Sequence, residues 1–326
     1  MIALANLLAR IAVYGDIHLN CKNYGAHRDY PKESLEYFHK ITETVEKRQC
    51  THLIGCGDFS YGVFNSLSYR LAVEKELETQ FKLTNGNRYE LEGNHDKAGY
   101  GMTERDYYVS KGLLKPSCNL SIGNLNLSMI DYGKSETVDP IIIDDDTHVN
   151  MIIAHDFFKF SNTQMANFGA AMILDNFTKW FGLDYLILGH VHKIMEFNGY
   201  IAKDNMVHEL TVNYLGCMTR PAYKEGNMDE VGHILIISVY DDNNIDIDTE
   251  VVPLWKIEDS FNLAEKQKQE TKKQEKMERV DISDIVRQLD AHDRNVGNPE
   301  DIIQSMEGID PKYKNMAIEL LKLANQ

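Results

Sequence analysis

Five stretches of the chain share one pattern: a short apolar, β-rich run that stops abruptly at Gly, Asp, Asn or His. They are Arg10–His18 (RIAVYGDIH), Thr51–Ser60 (THLIGCGDFS), Arg88–Asp96 (RYELEGNHD), Asn150–Phe158 (NMIIAHDFF) and Asp184–His192 (DYLILGHVH). Such a run predicts a buried strand with polar residues at its carboxyl end. Glu33–Arg48 lies between the first two and Ser66–Phe81 between the second and third, each with apolar positions at helical spacing. Strand–helix–strand alternation predicts a layered α/β architecture with loops gathered at one sheet edge.

After His192 the segments VHELTVNYLG and VGHILIISVYDDNNIDIDTEVVPL predict strands joined by turns that complete a second sheet. The texture then changes. Ala264–Arg279 (AEKQKQETKKQEKMER) is almost purely charged and amide-bearing, which predicts a solvated helix or linker. The expected division is a catalytic domain over 1–258, a charged helical linker over 259–279 and a helical region over 280–326. In that last region Asn298-Pro299 and Asp310-Pro311 have the form of helix starts.

Composition narrows the class without naming a function. A chain of 326 residues with 43% hydrophobic content fits a soluble globular protein with room for one large domain and an appendage. The formal net charge of -16 argues against binding nucleic acid by bulk charge, although bound cations would offset part of it. Cys21, Cys50, Cys56, Cys118 and Cys217 are odd in number with no Cys-x-x-Cys pair, as expected of reduced cytosolic thiols. No apolar run approaches the roughly 20 residues of a membrane helix, and the opening MIALANLLARIAVYGD lacks a basic leader. The expectation is a cytoplasmic protein with no membrane partner.

The chemistry lies at the strand ends, which offer Asp16 and His18, Asp58, Asn94 and His95, His155, then His190 and His192. Imidazole, carboxylate and amide oxygen are ligands for Mn²⁺, Fe or Zn²⁺, and thiolates do not contribute to these groups. Alternation along a strand would project Asp16/His18 and His190/His192 as pairs into one cavity. Two cations need a bridging carboxylate, and Asp58 is the lone acid of its block. Such a pair clamps a phosphoryl group and makes hydroxide available for in-line attack. His95, beside a ligand, is suited to protonate the leaving oxygen or to stabilise charge, and Asp96 to orient the loop.

Asp-x-His, Gly-Asp, Gly-Asn-His-Asp, a lone His and Gly-His-x-His in this order resemble the calcineurin-like metallophosphoesterase superfamily, over roughly Ala12–Arg220. The resemblance implies a two-sheet α/β sandwich flanked by helices. It also implies one metal on Asp16, His18, Asp58 and His192, a second on Asp58, Asn94, His155 and His190, and His95 as the catalytic histidine. Mn²⁺ is the first expectation, with Fe, Zn²⁺ or Mg²⁺ as options.

DIHLN and VNYLGCMTRPAY (Val212–Tyr223) are similar to segments of SbcD-type DNA nuclease subunits, including compact phage versions. That likeness implies a DNA substrate, an SbcC-like SMC-type ATPase partner on the C-terminal region, and the cytoplasm of a bacterial or phage-infected cell; a homodimer is a further option. GDFSYG lacks the Asp-Arg-Gly of protein serine/threonine phosphatases. It also departs from the SbcD pattern, placing Tyr61 where relatives carry a group beside the catalytic histidine. Asn20 and Cys217 stand where those relatives have Gly and Ser.

His27 and Arg28 could touch a phosphate backbone, Arg220 either a substrate or a structural ion pair, and Tyr24, Tyr30, Tyr61 and Tyr100 could stack on bases or pack locally. Cys217 reads as a small buried residue. Three functions fit: a nuclease subunit, a small-molecule phosphoesterase or cyclic-nucleotide phosphodiesterase, and a metal-stabilised DNA-binding scaffold without catalysis.

Overall fold

A computed structural model describes residues 5–21, 29–64, 66–97, 101–145, 147–159, 172–174, 177–221 and 231–265, with isolated positions beyond. The chain divides into two compact units, Met1–Leu263 and Ala264–Gln326. The segments expected at 259–279 and 280–326 fall mostly outside the described residues.

The first unit opens with β1 (Leu7–Tyr14), α1 (Tyr30–Lys47), β2 (His52–Gly55), α2 (Leu67–Leu83), β3 (Arg88–Glu90) and the short α3 (Glu104–Ser110). It continues through β4 (Asn119–Ile122), β5 (Leu125–Ile130), β6 (Val149–Ala154), β7 (Phe158–Lys159), β8 (Met172–Ile173) and β9 (Tyr185–Leu188). Four strands, β10 (Ile194–Lys203), β11 (Met206–Leu215), β12 (Val231–Tyr240) and β13 (Ile245–Pro253), and the short α4 (Ile257–Ser260) complete it. Local chemistry sets the helix starts. Asp29 accepts from Lys32 N ahead of α1, where Pro31 fills the first turn, and the Ser66 hydroxyl accepts from Tyr69 N ahead of α2.

Two sheets face each other. One runs β13-β12-β1-β2-β3, with β1, β2 and β3 parallel; the other runs β10-β11-β9-β6-β5-β4, with its four central strands parallel. The continuous apolar runs follow from burial on both faces. Along β1, Ile11 and Val13 enter the core between the sheets, whereas Ala12 and Tyr14 pack under the α1 and α2 layer with Phe38, Ile41 and Val73. Along β6, Met151 and Ile153 point inward, and Ile152 and Ala154 outward toward Trp180. This is the two-sheet sandwich flanked by helices that the sequence implied.

The placement of the late strands differs from expectation. β11 enters the six-stranded sheet, but β12 and β13 complete the first sheet, β12 pairing antiparallel with β1. Leu235, Ile237 and Val239 fill the inter-sheet core while Ile234 and Ile236 pack on the helical side, so β12 needs an interior position. β13, with its exposed Asp246 and Asp248, suits the edge. Among the described residues no helix is long and apolar enough to cross a membrane.

The carboxyl ends of β1, β2, β3, β6 and β9 gather on one side, and the loops there are tied together. His18 N donates to Asp58 O (2.8 Å) and Leu19 N to Phe59 O (2.9 Å), joining the segments after β1 and β2. Met218 N donates to Asp16 O (2.8 Å), joining β1 of one sheet to the segment after β11 of the other.

Candidate metal centre

Four of the five strand-end groups follow a glycine, Gly15-Asp16, Gly57-Asp58, Gly93-Asn94 and Gly189-His190, whereas His155 follows Ala154. Close approach explains all four: a Cβ on Gly15 would lie 2.1 Å from Gly216 O and one on Gly57 2.6 Å from His155 Nδ1. A Cβ on Gly93 would lie 2.1 Å from Asp58 Oδ1, and one on Gly189 would lie 2.7 Å from Asp16 Oδ1 and 2.9 Å from His155 Nδ1. Only a bare backbone lets the segments interdigitate.

The strands end before the ligand groups, at Tyr14 and Leu188, so strand alternation does not create the expected Asp16/His18 and His190/His192 pairs. The chain turns there instead. His18, Asp58 and His190 have φ of 47°, 52° and 72°. Left-handed backbone at a non-glycine residue costs about 1–2 kcal/mol and persists where the surroundings over-determine it. The ties between His18 N and Asp58 O, and between His190 N and Asp16 Oδ1 (3.1 Å), are such surroundings.

The seven side chains form two groups that share Asp58. In the first, Asp16, His18, Asp58 and His192 each offer a ligand atom within 4.8 Å of the others, with Nε2 of His18 and His192 2.9 Å apart. In the second, Asn94 Oδ1 lies 3.1 Å from His155 Nε2 and 2.8 Å from His190 Nδ1. Asp58 Oδ2 faces both groups, 3.6 Å from His18 Nε2 and 3.5 Å from His155 Nε2. Two ligand atoms about 2.1 Å from one cation, at right angles, would stand about 3.0 Å apart; the imidazole and Asn94 atoms lie 2.8–3.1 Å apart, and the carboxylate oxygens of Asp16 and Asp58 stand wider, at 3.5–3.8 Å.

Partners beneath these groups set their orientation. His155 Nδ1 donates to Cys56 O (2.7 Å), leaving Nε2 free to face Asn94 and Asp58. Asp58 Oδ1 accepts from His95 N (2.8 Å), which turns Oδ2 toward both groups. Asp96 accepts from Phe59 N, Ser60 N and Gly93 N at 3.0–3.1 Å, tying the segment after β2 to the one after β3.

Whether these residues suit cations is answered by Asp16. Its Oδ2 is buried and has no hydrogen-bond partner, yet it lies 3.5 Å from His192 Nε2 and 3.8 Å from His18 Nε2. An orphaned carboxylate oxygen facing two imidazole nitrogens fits a cation. Without an ion these groups share protons that a cation would have to displace. Burial pushes Asp16 up to about 8, with Asp58 adding to the effect and His155 opposing it. Burial alone would lower His155, but Asp58 and Asp16 raise it to about 10. Burial would raise Asp58, but His155 and His18 hold it well below the usual carboxylate range. Burial lowers His18, and lowers His190 to about 4, keeping those imidazoles neutral and able to ligate.

The calcineurin-like phosphoesterase family model matches residues 9–194, more than half of the chain. This chain belongs to that family. It is accordingly a metal-dependent phosphoesterase, a hydrolase of a family that works with two metal ions. Among solved structures, a dimetal phosphatase from Danio rerio is similar over 77% of this chain and 100% of that one. The identity is 11% and the TM-score 0.42, a likeness too distant to carry an argument. No curated protein matches the chain.

Around the phosphoesterase centre, His95 is half-buried, its ring 5.2 Å from that of His18 and 4.5 Å from that of Tyr61. On the opposite flank Tyr132 lies 5.6 Å from the His190 ring and 6.0 Å from His155, with Lys97 Nζ 4.7 Å over its face. Sequence reading missed Tyr132 and Lys97. Lys97 does adjoin the Gly-Asn-His-Asp motif, but Tyr132 follows β5 and carries no local signal.

Arg220 is buried, and its guanidinium donates to Trp255 O and to Ser260 Oγ (3.3 Å). Ser260 Oγ donates in turn to Glu33 Oε1 (3.2 Å). Arg220 therefore braces the segment after β11 against α4. Tyr30 is also buried, its hydroxyl donating to His18 O (2.9 Å), and offers no face for stacking. His27, Arg28, Tyr24 and Tyr100 lie outside the described residues.

Proposed function

We propose that the protein is a two-metal phosphodiesterase, the nuclease subunit of an SbcCD-like DNA end-processing or recombination complex. The observation that carries the two-metal reading is Asp58 Oδ2, one carboxylate oxygen facing both ligand groups at 3.6 and 3.5 Å. Asp16, His18, Asp58 and His192 would hold one cation and Asp58, Asn94, His155 and His190 the other; Mn²⁺, Fe and Zn²⁺ all suit this nitrogen and oxygen set, and Mn²⁺ is the ion proposed. When bound, the pair supplies Lewis-acid charge beside the phosphoryl group and makes hydroxide available at neutral pH. His95, anchored through its own N–H to Asp58, is positioned to protonate the leaving oxygen.

The DNA assignment rests on DIHLN and on Val212–Tyr223, whose Cys217, Met218, Thr219 and Arg220 pack buried beneath the β1 end. Tyr61 and Tyr132 on opposite flanks add support, since a diester carries a group on each side of phosphorus and every base offers a face for stacking. The unit Ala264–Gln326 is the proposed contact with an SMC-type ATPase. The net charge of -16 favours the second reading, a small phosphoester or cyclic nucleotide. Mn²⁺-loaded protein given linear duplex DNA, single-stranded DNA, bis-p-nitrophenyl phosphate and p-nitrophenyl phosphate separates the two. Cleavage of DNA and of the model diester is expected; turnover of the monoester alone overturns the nuclease reading.

A further inference from the structure

Cys217 stands directly beneath the first ligand group. It follows the left-handed Gly216 (φ 71°) at the end of β11 and pairs with Asp16 in an isolated bridge. Its Sγ donates to Asp16 O (3.2 Å) and lies 3.5 Å from Thr219 Oγ1. The thiol is buried, and its sulfur and a ring nitrogen from each of His18 and His192 all lie within 4.8 Å of one another. The buried, unpartnered Asp16 Oδ2 faces the same two imidazoles at 3.8 and 3.5 Å, so a cation held between these rings would also have a carboxylate oxygen beside it.

We propose that Cys217, His18 and His192 form a soft-cation site that takes a thiophilic divalent ion such as Zn²⁺ or Cd²⁺ in competition with the harder ion of the first ligand group. One sulfur and two imidazoles are a donor set for such ions, whereas Mn²⁺ and Mg²⁺ prefer oxygen. Because both sets need His18 and His192, the two occupancies exclude each other. A tetrahedral ion with sulfur at about 2.3 Å and nitrogen at about 2.1 Å puts those atoms about 3.6 Å apart. Closing from at most 4.8 Å asks a shift of about 1 Å, against two weak hydrogen bonds of the thiol. On binding, the S–H bond breaks, its proton leaves to solvent and a sulfur–metal bond forms, with no change of oxidation state.

The competition with Mn²⁺ rests on the two-metal reading; occupation of the thiol site does not. The test is a Cd²⁺ titration of the full chain, following thiolate-to-cadmium absorption in the ultraviolet, together with Mn²⁺ release read by electron paramagnetic resonance. Both use Cys118→Ser as the background, because Cys118 is the exposed thiol. The background protein should gain the absorption of one thiolate and release one Mn²⁺. Cys217→Ser and Cys217→Ala on that background should lose the band and need at least about tenfold more Cd²⁺ to displace Mn²⁺. No band in the background protein, or an equal band with and without Cys217, overturns the proposal. Failure of the background protein to bind Mn²⁺ counts against the two-metal reading instead, and the cadmium band still decides the thiol site.

Discussion

Replacing Gly93 with alanine puts a methyl carbon 2.1 Å from Asp58 Oδ1 and 2.2 Å from Asp58 N. The second contact is with backbone, so no side-chain rotation relieves it, and the two segments must part by about 1 Å. Overpacking of this kind costs about 1–3 kcal/mol. At about 2–4 °C per kcal/mol for a domain of this size, the metal-free protein should melt about 2–12 °C lower. The larger effect falls on metal binding. Asp58 Oδ2 faces both ligand groups from 3.5–3.6 Å, and a 1 Å displacement withdraws it from one of them.

If affinity falls about 100-fold, the two proteins respond differently to the same cation concentration. At 100 times the parent dissociation constant the parent gains about 2.7 kcal/mol, whereas Gly93→Ala gains about 0.4 kcal/mol. Differential scanning calorimetry with Mn²⁺ and with chelator reads both quantities. A Gly93→Ala protein stabilised by Mn²⁺ as much as its parent would refute the close approach as the reason for glycine at this position.

Other substitutions probe separate parts of the structure. His95→Ala should keep Mn²⁺ stoichiometry by calorimetry and lose about 10²–10⁴ in kcat on bis-p-nitrophenyl phosphate; parental turnover would remove its proposed role. Mn²⁺ affinity should rise with pH, because Asp16 (raised to about 8) and His155 (raised to about 10) hold protons that a cation must displace. The rise should be up to about tenfold per pH unit for each proton displaced, with the slope easing above the Asp16 value. Binding heats that do not depend on the ionisation enthalpy of the buffer would contradict it. Arg88 pairs with Glu90 (2.6 Å), both fully buried, so Arg88→Met should cost about 3–5 kcal/mol in urea unfolding by stranding a carboxylate. Arg88→Met with Glu90→Leu should recover most of that, and a single-variant loss under about 1 kcal/mol would show that the pair is not the lock on β3.

Much of this molecule was legible because its strands announce themselves locally. A run such as Met151–Ala154 is apolar at successive positions because both its faces are buried, and Asp or His after it marks where the strand gives way to the polar site. The sequence by itself therefore determined the buried strands, the helices between them and the set of residue types offered at one edge. Only the tertiary structure decided which strands are neighbours, since pairing joins residues more than two hundred positions apart: β12 lies against β1, not in the second sheet. It also decided how the ligands turn. His18, Asp58 and His190 take left-handed conformations that Asp and His tolerate better than most residues but that local sequence does not impose, held there by bonds from other segments. Tyr132, Lys97 and the placement of Cys217 belong to the same class. Each depends on where a distant segment packs, and local propensity carries no record of that.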